Sequence, residues 1–223
     1  MMTSTTPPRQ FPYSPPPEGP LALVHQDEAL LCVNKPSGLL TVPGRGTALQ
    51  DCLYHRVLAR FPTALVVHRL DEATSGLVLF ALNPDVQHKL SRAFETRSVE
   101  KTYIAVVHGL LAQDKGSVNL PLITDWPRRP LQKVDFENGK PALTHWRVIA
   151  RDTHARTTRV ELKPETGRTH QLRVHMQAIG HAIVGDALYG EACCGRLMLH
   201  AQRLVLEQPA HGGALDVVAT ADF

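Results

Sequence analysis

Cysteine is scarce in this chain and forms no pattern. Of 223 residues four are Cys; Cys193 and Cys194 are neighbours, while Cys32 and Cys52 stand apart. Neither a disulfide framework nor paired CxxC zinc ligands can be drawn from them, and a reducing cytoplasm suits such a chain best. An excess of one charge is missing too. The formal charge is only +3 with a pI near 8.8, which permits an acidic partner without demanding one, so any nucleic-acid reading must rest on where cations cluster. Internal repeats are absent. The first twenty residues hold seven prolines and no apolar run, which excludes the h-region of a signal peptide or a membrane anchor there. Residues 1–20 are therefore expected to be a flexible proline-rich tail, and residues 21–223 a single folded domain. With 43% hydrophobic residues the chain can bury a sizeable core.

What is present centres on residues 66–80, VVHRLDEATSGLVLF. Two apolar runs enclose a polar core of His68, Arg69, Asp71, Glu72, Thr74 and Ser75, and Gly76 allows a close backbone approach or a positive φ. This reads as a loop held between buried strand ends, the kind of segment that carries catalytic groups. A carboxylate there loses water, so Asp71 needs a cation or hydrogen-bond donors to stay charged. Arg69 and His68 are near in sequence but need not face it. The plainer reading is an Asp that caps a turn beside a surface Arg69.

Elsewhere the chain alternates strand and helix signals. Residues 21–33 give two short strands, followed by NKPSGLLTVPG, a stiff turn-rich loop whose Lys35 is either a phosphate contact or a solvated turn lysine. Thr47 is a credible N-cap for a helix to about Arg60, with Leu49, Leu53 and Val57 on one face. Asn83-Pro84-Asp85 opens a second helix bearing Val86, Leu90 and Phe94. KTYIAVV, residues 101–107, has strand periodicity that puts Lys101, Tyr103, Ala105 and Val107 on one face. Residues 120–146 combine Pro with Arg128, Arg129, Lys133 and Lys140, a set able to follow a phosphate backbone, with Trp126 available for stacking. Strands are expected over about 144–150 and 157–163, and two more within RLMLHAQRLVLEQP, where Leu197 and Leu199 are core residues or one wall of a base pocket.

A second polar stretch runs over residues 164–190, PETGRTHQLRVHMQAIGHAIVGDALYG. Thr169 can cap a helix that buries Leu172, Met176 and Ile179 and ends at Gly180. Arg168 then lies before the first turn, where it can meet a substrate phosphate or the carboxylate of Asp71. His170, His175 and His181 suggest a metal only weakly, because a five-residue spacing does not share a helix face and no acidic ligand stands at i+4. No metal is expected.

HRLDEATSGLVLFA, EKTYIAVVHG, LKPETGRTHQLRVHMQAIGHAIVGDALYG and RLMLHAQRL occur in the order of the motifs of the RluA family of pseudouridine synthases, which the chain resembles from about Leu21 to Phe223. NKPSGLLTVPG, LPLITDWPRRPLQKV and GKPA extend the likeness to the branch acting on both tRNA and large-subunit rRNA. The resemblance implies an α+β pseudouridine synthase fold, a mixed, mostly antiparallel sheet flanked by helices and loops with the active-site cleft across it. It also implies isomerisation of uridine to pseudouridine without a cofactor: the C1′–N1 bond breaks, the base turns, and C5 joins C1′. By the same resemblance Asp71 is the catalytic carboxylate, acting as a nucleophile or on a ribose proton, Tyr103 stacks beneath the uracil and takes the C5 proton, and Arg168 pairs with Asp71. Because a stacked uridine is out of reach, the base is flipped out, and Arg69 enters the RNA stack in its place. His68, Lys35, Arg128, Arg129, Lys133 and Arg173 are grouped with Arg69 as RNA contacts, and Leu199 as the base-pocket wall. The partners implied are tRNA and rRNA stem-loops, bound by a cytoplasmic protein taken to be monomeric. Activity on a single RNA class is the alternative within the family. A non-catalytic RNA-binding assembly factor is set against the joint presence of Asp71, Tyr103 and Arg168, and a glycosidase against the want of a second carboxylate.

Overall fold

The computed structural model describes residues 13–191 and 195–223, so the first twelve residues of the expected tail, and Cys193 and Cys194, lie outside the described residues. From Tyr13 to Pro20 the chain has no helix or strand but is anchored. The Tyr13 hydroxyl donates to the Asp51 carbonyl (2.7 Å) and accepts from Leu40 N–H (3.0 Å), and Arg56 donates to the carbonyls of Pro16 and Pro17. Residues 13–17 of the expected tail are thus held against the domain.

The domain begins with a hairpin, β1 (Leu23–Gln26) and β2 (Leu30–Lys35), then α1 (Leu53–Leu58), β3 (Leu65–Val66), β4 (Ser75–Ala81) and α2 (Pro84–Glu95). It continues through β5 (Glu100–His108), β6 (Lys115–Asn119), a small separate pair β7 (Leu122–Thr124) and β8 (Gln132–Val134), then β9 (Leu143–Asp152) and β10 (Thr157–Pro164). Last come α3 (Gln171–Ala178), β11 (Leu199–Glu207) and β12 (Ala214–Val218). Ten strands form one sheet in the order β1-β2-β4-β11-β5-β10-β9-β6, with β12 also paired to β11 and β3 to β4. Among the described residues its one parallel pairing joins β4 to β11, Ser75 opposite His200 and Gly76 opposite Ala201. The sheet is therefore mixed and mostly antiparallel, and the fold is α+β as expected. No described helix is long and apolar enough to cross a membrane.

β4 is buried along its whole length, which explains why its sequence is an unbroken apolar run rather than an alternation. Leu77 and Leu79 join Leu30 and Cys32 beneath Val86 and Leu90 of α2. Val78 and Phe80 face the other way, with Leu31 and Val33, against Leu53 and Val57 of α1. A third cluster packs Leu172 and Met176 of α3 on Ala105, Val107, Val160 and Leu162. Gly76 sits at φ +114°, and a Cβ there would run into the backbone of Ala201; only glycine lets β11 lie so close.

Two elements differ from expectation. Thr47–Leu49 forms a short 3-10 turn, and α1 starts only at Leu53, because the N–H groups of Leu53 and Tyr54 are taken by the carbonyls of Leu40 and Thr41 in the preceding loop. RLMLHAQRLVLEQP holds one strand, β11, whose register shifts between Ala201 and Arg203. That irregularity imitates a strand break when the alternation is read from sequence.

Candidate active site

The loop between β3 and β4 is fastened on both sides of Asp71. Thr41 Oγ1 donates to the Leu70 carbonyl (2.8 Å) and accepts from Leu70 N–H (3.1 Å). Glu72 offers its carbonyl to Gly38 N–H (2.9 Å) and to Lys35 Nζ (3.0 Å), and Ser37 Oγ donates to the Ala73 carbonyl (2.6 Å). Lys35 is fully buried and donates as well to Pro36 and Leu39; burial pushes its amine down to about 7. Lys35 is thus a strut that satisfies buried carbonyls. The expectation that it contacts RNA is corrected.

His68 is corrected in the same way. Its Nε2 accepts from Leu79 N–H (3.0 Å) and its ring stacks on Phe94 at 4.4 Å. Burial, and then Lys101, depress its pKa to about 3, so the imidazole is neutral and serves as an acceptor. The unfolded chain binds a proton near pH 6.5 and the folded one does not. Stability must therefore be lost as pH falls from about 6.5 towards 3. His68→Gln, which keeps an acceptor but cannot titrate, is expected to flatten that part of a plot of denaturation midpoint against pH. An unchanged slope would assign the acid sensitivity to another group.

Arg69 remains exposed beside the cavity that contains Asp71. That cavity, about 110 Å³, is lined by Asp71, Tyr103 from β5, Leu199 from β11, and Arg168, His170 and Arg173 around the start of α3. Three adjacent strands, β4, β11 and β5, thus bring together groups from distant parts of the chain. A larger space of about 620 Å³, bordered by Ser37, Ser75 and Arg196, contains neither Asp71 nor Tyr103. Burial, and then the charge on Asp71, raise the Tyr103 phenol well above its usual value. It is a protonated hydroxyl at neutral pH.

The cation beside Asp71 is Arg173. Its Nη1 lies 3.4 Å from Asp71 Oδ2, whereas Nε and Nη2 are held bidentately by Asp186 at 2.8 and 2.7 Å. Arg173 is 5% exposed, Asp186 0% and Asp71 24%. One guanidinium is therefore locked by a fully buried carboxylate and presents its remaining nitrogen to the accessible one. Arg168, expected in that role, donates instead to the Pro141 carbonyl (3.2 Å) and forms no ion pair with Asp71. The reason is local. The helix cap is not Thr169 but His170, in the left-handed region at φ 54°, and this bend turns residues 171–178 so that Arg173 faces the loop. His170 Nε2 lies 3.8 Å from Asp71. Burial lowers its pKa, and its Nδ1 lies 2.7 Å from the Tyr189 hydroxyl, which accepts from Gln132 N–H (2.7 Å).

Asp186, His170 and Tyr189 were not assigned from sequence. The available signal was the spacing of His170 and Arg173, three residues apart and so on one face of a helical start. His175 bonds Thr144 and the Leu120 carbonyl, and His181 bonds the His108 carbonyl. Of the basic residues around β7 and β8, Arg128 pairs with Asp125 and Lys133 with Asp135. Arg129 lies 3.1 Å over the Trp126 ring, which is 64% exposed.

Comparisons with known proteins give the family of the chain. The model of the family described as RNA pseudouridylate synthase matches residues 29–178. The dual-specificity RNA pseudouridine synthase RluA of Yersinia pestis is 50% identical over 91% of this chain and all of its own length. The protein of the same name from Escherichia coli K12 is 48% identical over 95% of this chain and 98% of its own. Among solved structures, human RNA pseudouridylate synthase domain containing 1 superposes with a TM-score of 0.77 at 31% identity, covering 92% of this chain and 86% of that one. Human RNA pseudouridylate synthase domain containing 4 gives 0.72 at 26%, covering 90% and 88%. A buried arginine that offers one nitrogen to a half-open carboxylate beside a tyrosine thus lies in a chain that, by sequence and by fold, belongs to the RNA pseudouridylate synthase family and isomerises uridine in RNA.

Proposed function

We propose that this enzyme converts a uridine in the anticodon loop of certain tRNAs, and a second in a stem-loop of large-subunit rRNA. The relatives that share half of its residues carry a name that states dual specificity, and shape plus a short loop sequence suffices for one protein to read two stem-loops. The observation that carries the chemical reading is the 3.4 Å approach of Arg173 to Asp71 in a cavity walled by Tyr103 and Leu199. Asp71 starts the reaction. Its oxygen either attacks C1′ as the C1′–N1 bond breaks or removes a ribose proton, and both routes need a charged carboxylate kept apart from bulk water. Arg173 replaces Arg168 as its partner, and Arg168 serves at the cavity rim towards the RNA. Tyr103 supplies a ring face for the uracil. Its hydroxyl is kept protonated in the free protein by burial and then by Asp71, so Tyr103 must give up its own proton before it takes the one lost from C5. Arg69 fills the gap left by the flipped base, with Arg128, Arg129 and Lys133 along the neighbouring backbone. The catalytic domain runs from about residue 21 to 223 and acts as a cytoplasmic monomer.

Mapping pseudouridines in total RNA from cells with and without the gene tests the substrate assignment. One position in an anticodon loop and one in large-subunit rRNA are expected to lose the modification together. Loss in a single RNA class would reduce the enzyme to one substrate, and loss in neither would overturn the proposal.

A further inference from the structure

The cavity holding Asp71 opens into a second space of about 500 Å³, with which it shares Arg69, Lys101, Tyr103 and Arg168; Arg97, Glu95 and Glu165 complete the wall together with His68 and Phe94. Four cations meet here, and none forms an ion pair with a described residue. By contrast Arg147, Arg151 and Arg203 are matched to Glu161, Asp114 and Asp216. Lys101 has only the Val99 carbonyl, at 3.3 Å. Of the two acids, Glu165 is already engaged by His145 at 2.8 Å.

Arg97 adds an independent sign. It follows Thr96, the C-cap of α2, and adopts φ 64° while Ser98 N–H closes onto the Ala93 carbonyl. This is the left-handed helix end that glycine fills without strain. An arginine kept in such a conformation at the rim of a basic cavity is what a binding role would retain against the demands of the backbone. Lys101 lies two residues before Tyr103 on β5, so both side chains share one face of the strand.

We propose that Arg97 and Lys101 form a phosphodiester subsite that grips the RNA backbone beside the flipped uridine. The inference rests on the RNA-modifying role proposed above and adds a binding determinant to it. Arg97 offers a planar fork and Lys101 a compact charge. Burial, and then Arg97, lower the Lys101 pKa, a strain that a phosphate at this point relieves.

The test uses the full chain, a synthetic tRNA anticodon stem-loop with 5-tritiated uridine, and a uridine-containing single-stranded oligoribonucleotide. Wild-type tritium release from the stem-loop reports on the substrate assignment alone. Binding of both RNAs is measured whether or not either is turned over, so the two ideas fail separately. In Arg97→Gly and Lys101→Gln, Kd at 0.1 M salt is expected to rise about 3–10-fold, and the slope of log Kd against log salt to fall by about 0.7. Tm of Arg97→Gly should rise by about 2–4 °C as the strain is released. Unchanged affinity and salt slope in both variants would overturn the subsite, and with a raised Tm would leave Arg97 as no more than a strained helix end.

Discussion

Asp71→Asn is expected to slow tritium release from RNA containing 5-tritiated uridine by at least about four orders of magnitude, while the protein stays folded and still binds RNA. The amide has the shape of the carboxylate but is neither a nucleophile nor a base, so a step made only by the charged oxygen is removed outright. Folding should not suffer. Arg173 remains neutralised by Asp186, which holds it through two nitrogens, and the variant removes the second of two carboxylates competing for one cation. Its Tm is expected to equal or exceed that of wild type, since active-site charges are often kept at the expense of stability. RNA affinity should hold or improve, because a negative charge has left a site approached by phosphates. Tritium release at the normal rate would end the case for Asp71.

Arg173→Met should damage both function and fold. Asp186, with 0% exposure, would keep only the N–H groups of Leu188 and Tyr189. Stranding a buried carboxylate costs about 3–5 kcal/mol, or a fall in Tm of roughly 6–20 °C in a chain of this size. Turnover of whatever remains folded should drop by about two to three orders of magnitude, the usual effect of deleting a preorganised charge at a reacting centre. Reduced turnover alone would be ambiguous in an unstable protein, so the double variant Arg173→Met/Asp186→Leu is the sharper measurement. It replaces the buried pair by apolar groups and should recover much of the lost Tm without recovering turnover. Recovery of turnover in the double variant would show that Arg173 acts only as part of the scaffold.

The sequence carried much of this arrangement. The unbroken apolar run after Gly76 marked a buried strand end, the Asn83-Pro84-Asp85 start of α2 is visible in the Val86 N–H bond to Asn83, and the alternation around Tyr103 placed that ring on a rigid strand. These signals are local, and the structure keeps them because packing and capping agree. What could not be read was set by contacts across the chain. Choosing Arg173 over Arg168 depends on the left-handed backbone of His170, where the sequence offered Thr169 as the cap. Lys35 and His68 resemble free ligands in a polar loop, yet the buried carbonyls of Pro36, Leu39 and Glu72 and the N–H of Leu79 consume them. Backbone groups shut away from water claim the nearest polar side chain, and sequence does not reveal which groups those are.

The lone parallel pairing has a consequence for biosynthesis. β11 joins β4 to β5 in the middle of the sheet, yet Leu199 comes 118 residues after Ala81, the end of β4, and 91 after His108, the end of β5. A polypeptide still on the ribosome can assemble the β1-β2-β4 and β5-β10-β9-β6 blocks early, but these remain unjoined until residues 199–207 emerge. Asp71, Tyr103 and Leu199 can therefore share a cavity only after residues 199–207 have emerged, and long-range closure of this kind is slow. Until then the carboxylate and the phenol of the site stand on separate blocks of sheet, with no wall between them at Leu199.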